Sequence, residues 1–246
     1  MKRNRLAILC LLLILALLPV NAQAESPWGG EGEIGFLMTS GNSETESVNA
    51  KLGLSYESNH WRHNGNFEAL YSAEEQETET GESEMKTSAE KYLVSAKTAY
   101  KFTEKDYAFL RGSYEDDRFS GYDYQTSFSA GYGRQLFKTE RMLMEIEAGP
   151  GYRYNRLDDG KTEEEVIGRG AALFSVQLSE GASFKQELSV EAGKDQTVTK
   201  SISSVKAQIV GALSMKASFT AEHTSTVPED TDKTDTETAL TLVYSF

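Results

Sequence analysis

The stretch Thr236-Glu237-Thr238-Ala239-Leu240-Thr241-Leu242-Val243-Tyr244-Ser245-Phe246 decides how the rest of the chain is read. Successive side chains of a strand point to opposite faces. Leu240, Leu242, Tyr244 and Phe246 therefore share one face, and Ala239, Thr241, Val243 and Ser245 the other. If this stretch is typical of the chain, the residues before it should form short alternating strands.

The N-terminus predicts export. Lys2, Arg3 and Arg5 precede an apolar run of 13 residues, Leu6 to Leu18, which Pro19 breaks. Ala22-Gln23-Ala24 then offers a small-residue cleavage site before Glu25, with Ala22 and Ala24 as its two small positions. The run falls short of the ~20 residues a membrane helix needs. Cys10 lies inside the run and not at a lipoprotein cleavage site. Residues 1–24 are thus expected to be a cleaved signal peptide and 25–246 the mature domain. An exported chain ending on a bare aromatic strand resembles the assembly signal of outer-membrane β-barrels, here Leu240, Leu242, Tyr244 and Phe246.

Charge narrows the function classes. Cleavage would remove Lys2, Arg3 and Arg5 and no acid, leaving 22 basic against 38 acidic residues. Such an acidic chain argues against nucleic acid as a partner. The one cysteine is lost with the leader, so no disulfide framework and no cysteine metal site is expected. No stretch after residue 24 is apolar enough for a membrane helix, so an integral protein would have to be a barrel.

Period-two alternation recurs through the mature chain and predicts about twelve strands. Val48, Ala50, Leu52, Leu54 and Tyr56 alternate with Ser47, Asn49, Lys51, Gly53, Ser55 and Glu57 without a break. Similar runs begin near Gly32, Trp61, Tyr92, Tyr107, Tyr122, Met142, Ala172, Phe184, Val205 and Ala217. In the fifth strand Phe109 and Leu110 are both apolar, which leaves its faces ambiguous. In the sixth, Tyr122, Tyr124, Phe128, Ala130 and Tyr132 are expected on one face. Pro150 cannot donate to a ladder, so a bulge or kink is expected at Gly149-Pro150-Gly151. Gly41-Asn42 reads as a turn. The glutamate-rich residues 74–90 read as a long solvated loop, with further polar or acidic loops at 155–165, 194–200 and 227–234.

Three patterns favour a membrane barrel: an even strand count, mostly long acidic connections after odd strands with mostly short ones after even strands (the short first connection at Gly41-Asn42 is the exception), and aromatics near strand ends. The polar faces carry Lys51, Arg62, Lys97, Lys101, Arg111, Arg153, Arg169, Lys185, Lys206 and Lys216 against Glu57, Glu68, Glu145, Glu147, Glu187, Glu191, Glu222 and Glu237. Facing lipid, such charges would cost ~2–4 kcal/mol each at mid-depth, so they are expected to line a mixed-charge lumen. The terminal strand is expected to close the sheet by pairing with the first through Ile34 to Met38.

Residue chemistry points to no reaction. His60, His63 and His223 show no spacing to a serine or an acid, and turn or interfacial roles suit them better than catalysis. The pairs Asp116/Asp117 and Asp158/Asp159 read as solvated loops. Divalent cations held loosely at the acidic loops, bridging to lipopolysaccharide phosphates, are the expected cation partners, with no dedicated metal or cofactor site. Tyr152 and Arg153 beside the Gly-Pro-Gly fit a constriction or a structural role equally.

Several motifs together resemble one family. They are Thr39-Ser40-Gly41-Asn42-Ser43-Glu44-Thr45, Tyr114-Glu115-Asp116-Asp117-Arg118-Phe119-Ser120-Gly121-Tyr122, Gly131-Tyr132-Gly133, Gly149-Pro150-Gly151-Tyr152-Arg153-Tyr154, and the Tyr-x-Phe end at Tyr244 and Phe246. In this combination the chain resembles the salt-induced outer membrane protein family, a YdiY-like domain of unknown function. The resemblance implies an outer-membrane barrel and no particular reaction. The expectation is an all-β, antiparallel, up-and-down transmembrane barrel of the Gram-negative outer membrane, folded by the barrel-assembly machinery and acting as a small pore or structural envelope protein. The alternatives are an outer-membrane hydrolase on the same barrel, or a soluble periplasmic barrel with an apolar interior that binds an apolar ligand.

Overall fold

The structure is a computed structural model that describes residues 26–39, 45–77, 83–227 and 232–246. The expected signal peptide with Ala22 and Ala24, and the Gly41-Asn42 turn, lie outside the described residues. Twelve strands follow in order: β1 (Trp28–Thr39), β2 (Thr45–Glu57), β3 (Trp61–Glu77), β4 (Ser83–Lys101), β5 (Asp106–Asp117), β6 (Tyr122–Lys138), β7 (Met142–Leu157), β8 (Thr162–Ser179), β9 (Ala182–Ala192), β10 (Thr197–Val210), β11 (Leu213–Thr224) and β12 (Thr234–Ser245). Each pairs antiparallel with its sequence neighbours, and β12 returns to β1, closing an up-and-down barrel.

Hydropathy is inverted relative to a soluble barrel. Phe36, Leu240 and Val166 stand on the outside with 63, 63 and 73 % of their surface exposed. Glu145 and Arg153, at 3 and 4 %, lie inside. The apolar interior required by the soluble alternative is therefore not what these strands build. An apolar exterior around a polar interior is the pattern of a barrel solvated by lipid.

The fifth-strand ambiguity resolves by burial: Phe109 points inward beside Tyr107 and Ala99, and Leu110 points outward. Tyr122 departs from the expected pattern. The register of β6 against β7 shifts between Tyr122 and Tyr124, so Tyr122 turns inward and is buried instead of joining the outer aromatics.

Two other expectations need correction. Residues 74–90 are not one long loop, because β3 runs to Glu77 and β4 starts at Ser83. Glu74, Glu75, Glu77, Glu84 and Glu90 belong to an extended two-stranded ribbon whose described backbone is satisfied by pairing, with a register shift at Ser72/Ala73, and Glu79 and Glu82 lie outside the described residues. Likewise β7 and β8 are joined by residues 158–161 only, and β9 and β10 by 193–196. The contrast between the two ends thus lies in how far strands run as well as in loop length.

The bulge expected at Pro150 is also absent. The β7–β8 register is continuous through Pro150↔Gly168. On the other side the β6–β7 ladder omits Ala130 and Gly131 and resumes in the same register. The two backbones approach closely there: a Cβ on Gly149 would fall 2.0 Å from the Ala130 carbonyl oxygen, and one on Gly131 2.2 Å from that of Ala148. Pro150 lacks the N–H that this gap would leave unpaired.

The closing seam is shorter than expected and displaced. β1 and β12 pair at four positions, from Glu31↔Ser245 to Ile34↔Leu242. Beyond them Gly30 and Phe246 exchange both backbone hydrogen bonds, at 2.8 and 2.9 Å. Closure therefore uses the start of β1, and of the expected Ile34–Met38 stretch only Ile34 pairs with β12. The Phe246 ring covers Gly30, where a Cβ would lie 2.4 Å from the ring edge.

Candidate functional site: the barrel interior

Alternation places a charged or amide side chain at nearly every second position of the inner face, and closure brings distant strands within reach. Arg62 on β3 forks onto Glu145 on β7, Nη1 to Oε1 at 2.7 Å and Nη2 to Oε2 at 3.1 Å. Those strands lie four places apart around the barrel, so the pair spans the interior. Gln135 donates to the same carboxylate at 2.6 Å. Tyr107 donates to Glu147 at 2.9 Å and to Glu145 at 3.3 Å, with the Arg62 guanidinium 4.8 Å above its ring.

Glu147 continues the chain of contacts, pairing with Lys97 at 2.7 Å and Arg169 at 3.5 Å. Glu191 on β9 then meets Arg169 at 3.5 Å, Arg111 at 3.7 Å and Arg153 at 3.4 Å. Arg153 also binds Glu165 and the Gln196 side chain, each at 3.0 Å, and Gln196 donates to Tyr122 at 3.1 Å. Buried ions need such multiple partners, because desolvation would otherwise outweigh the attraction.

A second set lies near the seam. Lys206 and Lys216 reach across to Glu31 and Glu33, the latter pair at 2.7 Å. Asn49 donates to Glu237 at 2.7 Å beneath β1, and Lys51 pairs with Glu68 at 2.9 Å. Lys91 meets Glu115 at 2.7 Å and Lys200 meets Glu222 at 2.8 Å. Lys185 and Glu187 pair at 2.8 Å but remain 47 and 45 % exposed, marking the most open wall.

All twelve lumen candidates named from the sequence take part in ion pairs: Lys51, Arg62, Lys97, Lys101, Glu145, Glu147, Arg153, Arg169, Lys185, Glu187, Lys206 and Glu222. Sequence reasoning missed Glu31 and Glu33, although both alternate with Ile34 and Phe36 and the pattern contained them. It also missed the neutral members Tyr107, Gln135 and Gln196. Tyr107 had one faint signal, since it pairs with Gly133, part of Gly131-Tyr132-Gly133. A Cβ on Gly133 would lie 2.2 Å from the Tyr107 ring, so the glycine makes room for the buried phenol. The terminal residues Leu240, Leu242, Tyr244 and Phe246 all face outward.

The histidines stay apart from this network. His63 and His223 hydrogen-bond Thr98 and Thr234, at 2.7 and 2.8 Å, and His60 stacks on Tyr100. The two mouths differ in charge. At the end bearing 118–121 and 158–161, Glu164 takes a hydrogen bond from Tyr152 and Arg118 pairs with Glu90 at 2.7 Å. In the 158–161 turn, the Lys161 side chain hydrogen-bonded to Asp159 holds that carboxyl below its ordinary range. The opposite end, bearing 58–60 and 102–105, holds a cavity of about 790 Å³ lined by Glu57, His60, Lys101, Lys105, Gln135 and Lys138, among others. Beside it lies a notch walled by Trp61 and Tyr100.

Comparison with known proteins agrees with this geometry. Over 88 % of its length the chain superposes on 98 % of the NanC porin, with a TM-score of 0.53 and 8 % identity. The translocator domain of the autotransporter NalP from Neisseria meningitidis gives a TM-score of 0.50 at 11 % identity, covering 98 % of this chain and 95 % of that one. At such identities the likeness concerns fold alone. In sequence the chain is 30 % identical over 227 residues to the uncharacterized protein YdiY of Escherichia coli (strain K12), spanning 91 % of this chain and 85 % of that protein. The family described as Protein of unknown function, DUF481, matches residues 32–246, and with the motif glycines now placed around Tyr107 and the β6–β7 approach, the chain belongs to that family.

Proposed function

We propose that this protein is an integral outer-membrane barrel whose interior is closed by its own charges, a structural envelope protein and not an open diffusion pore. The observation that carries this reading is the set of ion pairs spanning the interior: Arg62–Glu145, Lys97–Glu147 and Arg111–Glu191. An open porin keeps a water-filled lumen. Here Glu145, Glu147 and Arg169 are nearly excluded from solvent. The reading includes export by the N-terminal leader, folding by the barrel-assembly machinery through the Leu240–Phe246 strand, contact with lipid and lipopolysaccharide, and no reaction. Short turns on the periplasmic side, as in outer-membrane barrels, would turn the acidic mouth outward, where divalent cations would gather loosely.

A second reading, a narrow mixed-charge pore, is favoured by the half-exposed Lys185–Glu187 pair on β9. Planar-bilayer recording on the purified protein separates the two. The closed reading expects a silent bilayer for the wild type and conductance steps for the double variant Glu145→Gln/Glu147→Gln. Steady porin-like conductance from the wild type would overturn it.

A further inference from the structure

We infer that the cavity at the short-turn mouth is a binding cup for a phosphate-bearing anion. Gln135 lines its inner wall, buried and donating to Glu145 at 2.6 Å, and so joins the cup to the interior network. At about 790 Å³ it falls in the range of small-ligand sites.

Charge sets the ligand class. Five charged residues line the cup: Lys101, Lys105 and Lys138 against Glu57 and Glu104. Glu57 is occupied, because Lys101 binds it at 2.9 Å. Lys105 and Lys138 have no carboxylate within 4.0 Å among the described residues. Among the described residues the interior lysines and arginines are ion-paired, whereas Lys105 and Lys138 reach Asp106 and Glu57 only by longer-range attraction; three lysines against Glu57 and the unpaired Glu104 leave the cup with an excess of one positive charge to meet a ligand. A lysine acts on phosphate as a mobile point charge, and two of them on one cup suit a phosphate ester better than a single carboxylate. The net charge of the chain is −13, and its far mouth is acidic. Its field therefore repels anions there and leaves this mouth as the entry.

Two sources share this chemistry, the headgroup of a phospholipid in the adjoining leaflet and a soluble phosphate ester. The inference rests on the barrel reading but not on the closed lumen. A conducting wild type would sink the latter and leave the binding test standing.

The test titrates glycerol 3-phosphate into the protein extracted from membranes of expressing cells in a phosphate-free maltoside detergent. Both tryptophans of the chain, Trp28 and Trp61, lie at this end, and Trp61 walls the adjoining notch, so their fluorescence reports occupancy. Saturable binding is expected, weakened roughly tenfold or more in Lys105→Gln/Lys138→Gln. Lys105→Arg/Lys138→Arg should retain it, and Lys194→Gln at the far mouth should leave it unchanged. Heat-modifiable migration on a gel confirms that each variant is folded. Binding in maltoside that disappears in phospholipid nanodiscs identifies a lipid headgroup as the occupant; binding in both identifies a soluble ester. No saturable binding in either medium, or equal binding by wild type and the glutamine variant, overturns the inference.

Discussion

Glu145 shows how much depends on single side chains inside a lipid-solvated barrel. Its two oxygens accept from Arg62, Gln135 and Tyr107. In Glu145→Ala the Arg62 guanidinium would keep its charge without its partner, a change expected to destabilise by about 3–5 kcal/mol. Urea titration of the folded, heat-modifiable form would register this as a lower midpoint. Pairing the change with Arg62→Met should recover most of the loss, since an apolar replacement of both partners is often near neutral. Gly149→Ala tests a different constraint. With the Ala130 oxygen 2.0 Å from the new Cβ, two backbones must separate, and a loss of at least ~3 kcal/mol is expected. A midpoint equal to wild type would show that the β6–β7 approach is looser than described.

At the scale of strands, the weak point is the seam. Four pairs join β1 to β12, whereas twelve join β1 to β2. Sub-global opening follows the least supported ladder. Backbone amides of Ile34 and Leu242, which point across the seam, are therefore expected to exchange with deuterium well before those of Asn66 and Ser95 in the β3–β4 ladder. Uniform protection around the barrel would refute this. Phe246→Ala should slow assembly and lower the folded yield, because the ring that covers Gly30 helps hold the short seam.

The strands also show what a reader of the sequence can and cannot recover. Alternation as regular as that of 47–57 reports a half-buried strand whatever its neighbours, so the number of strands and most inner faces were legible. Residues 74–90 were misread because acidic composition signals solvent, and an exposed paired ribbon is solvated too. Tyr122 was misplaced because a one-residue shift in register reverses a face without altering composition. Partner choice was not legible at all. Arg62 and Glu145 meet only because the sheet closes, and nothing in either local stretch encodes the curvature that brings β3 opposite β7.

For the whole molecule, the testable quantity is sidedness. The chain has one cysteine, Cys10, inside the leader expected to be removed. A single cysteine placed at Asp159 should react with a membrane-impermeant maleimide on intact cells, and one at Glu180 should react only after lysis. The reverse pattern would invert the orientation and with it the face on which the lysine cup opens. Charge is also distributed at this scale. The interior is close to balanced, so the acidity of the chain is carried by its outer rim.

The β3–β4 ribbon bears on how the molecule meets its surroundings. Its strands have 17 and 19 residues, while a tilted crossing uses ~9–11. The surplus, at ~3.4 Å per residue, is on the order of 25 Å of paired ribbon measured along the strands. With the acidic mouth turned outward, as proposed, a peptide inserted into this hairpin is expected to be reached by antibody on intact cells, and labelling only after lysis would count against that orientation.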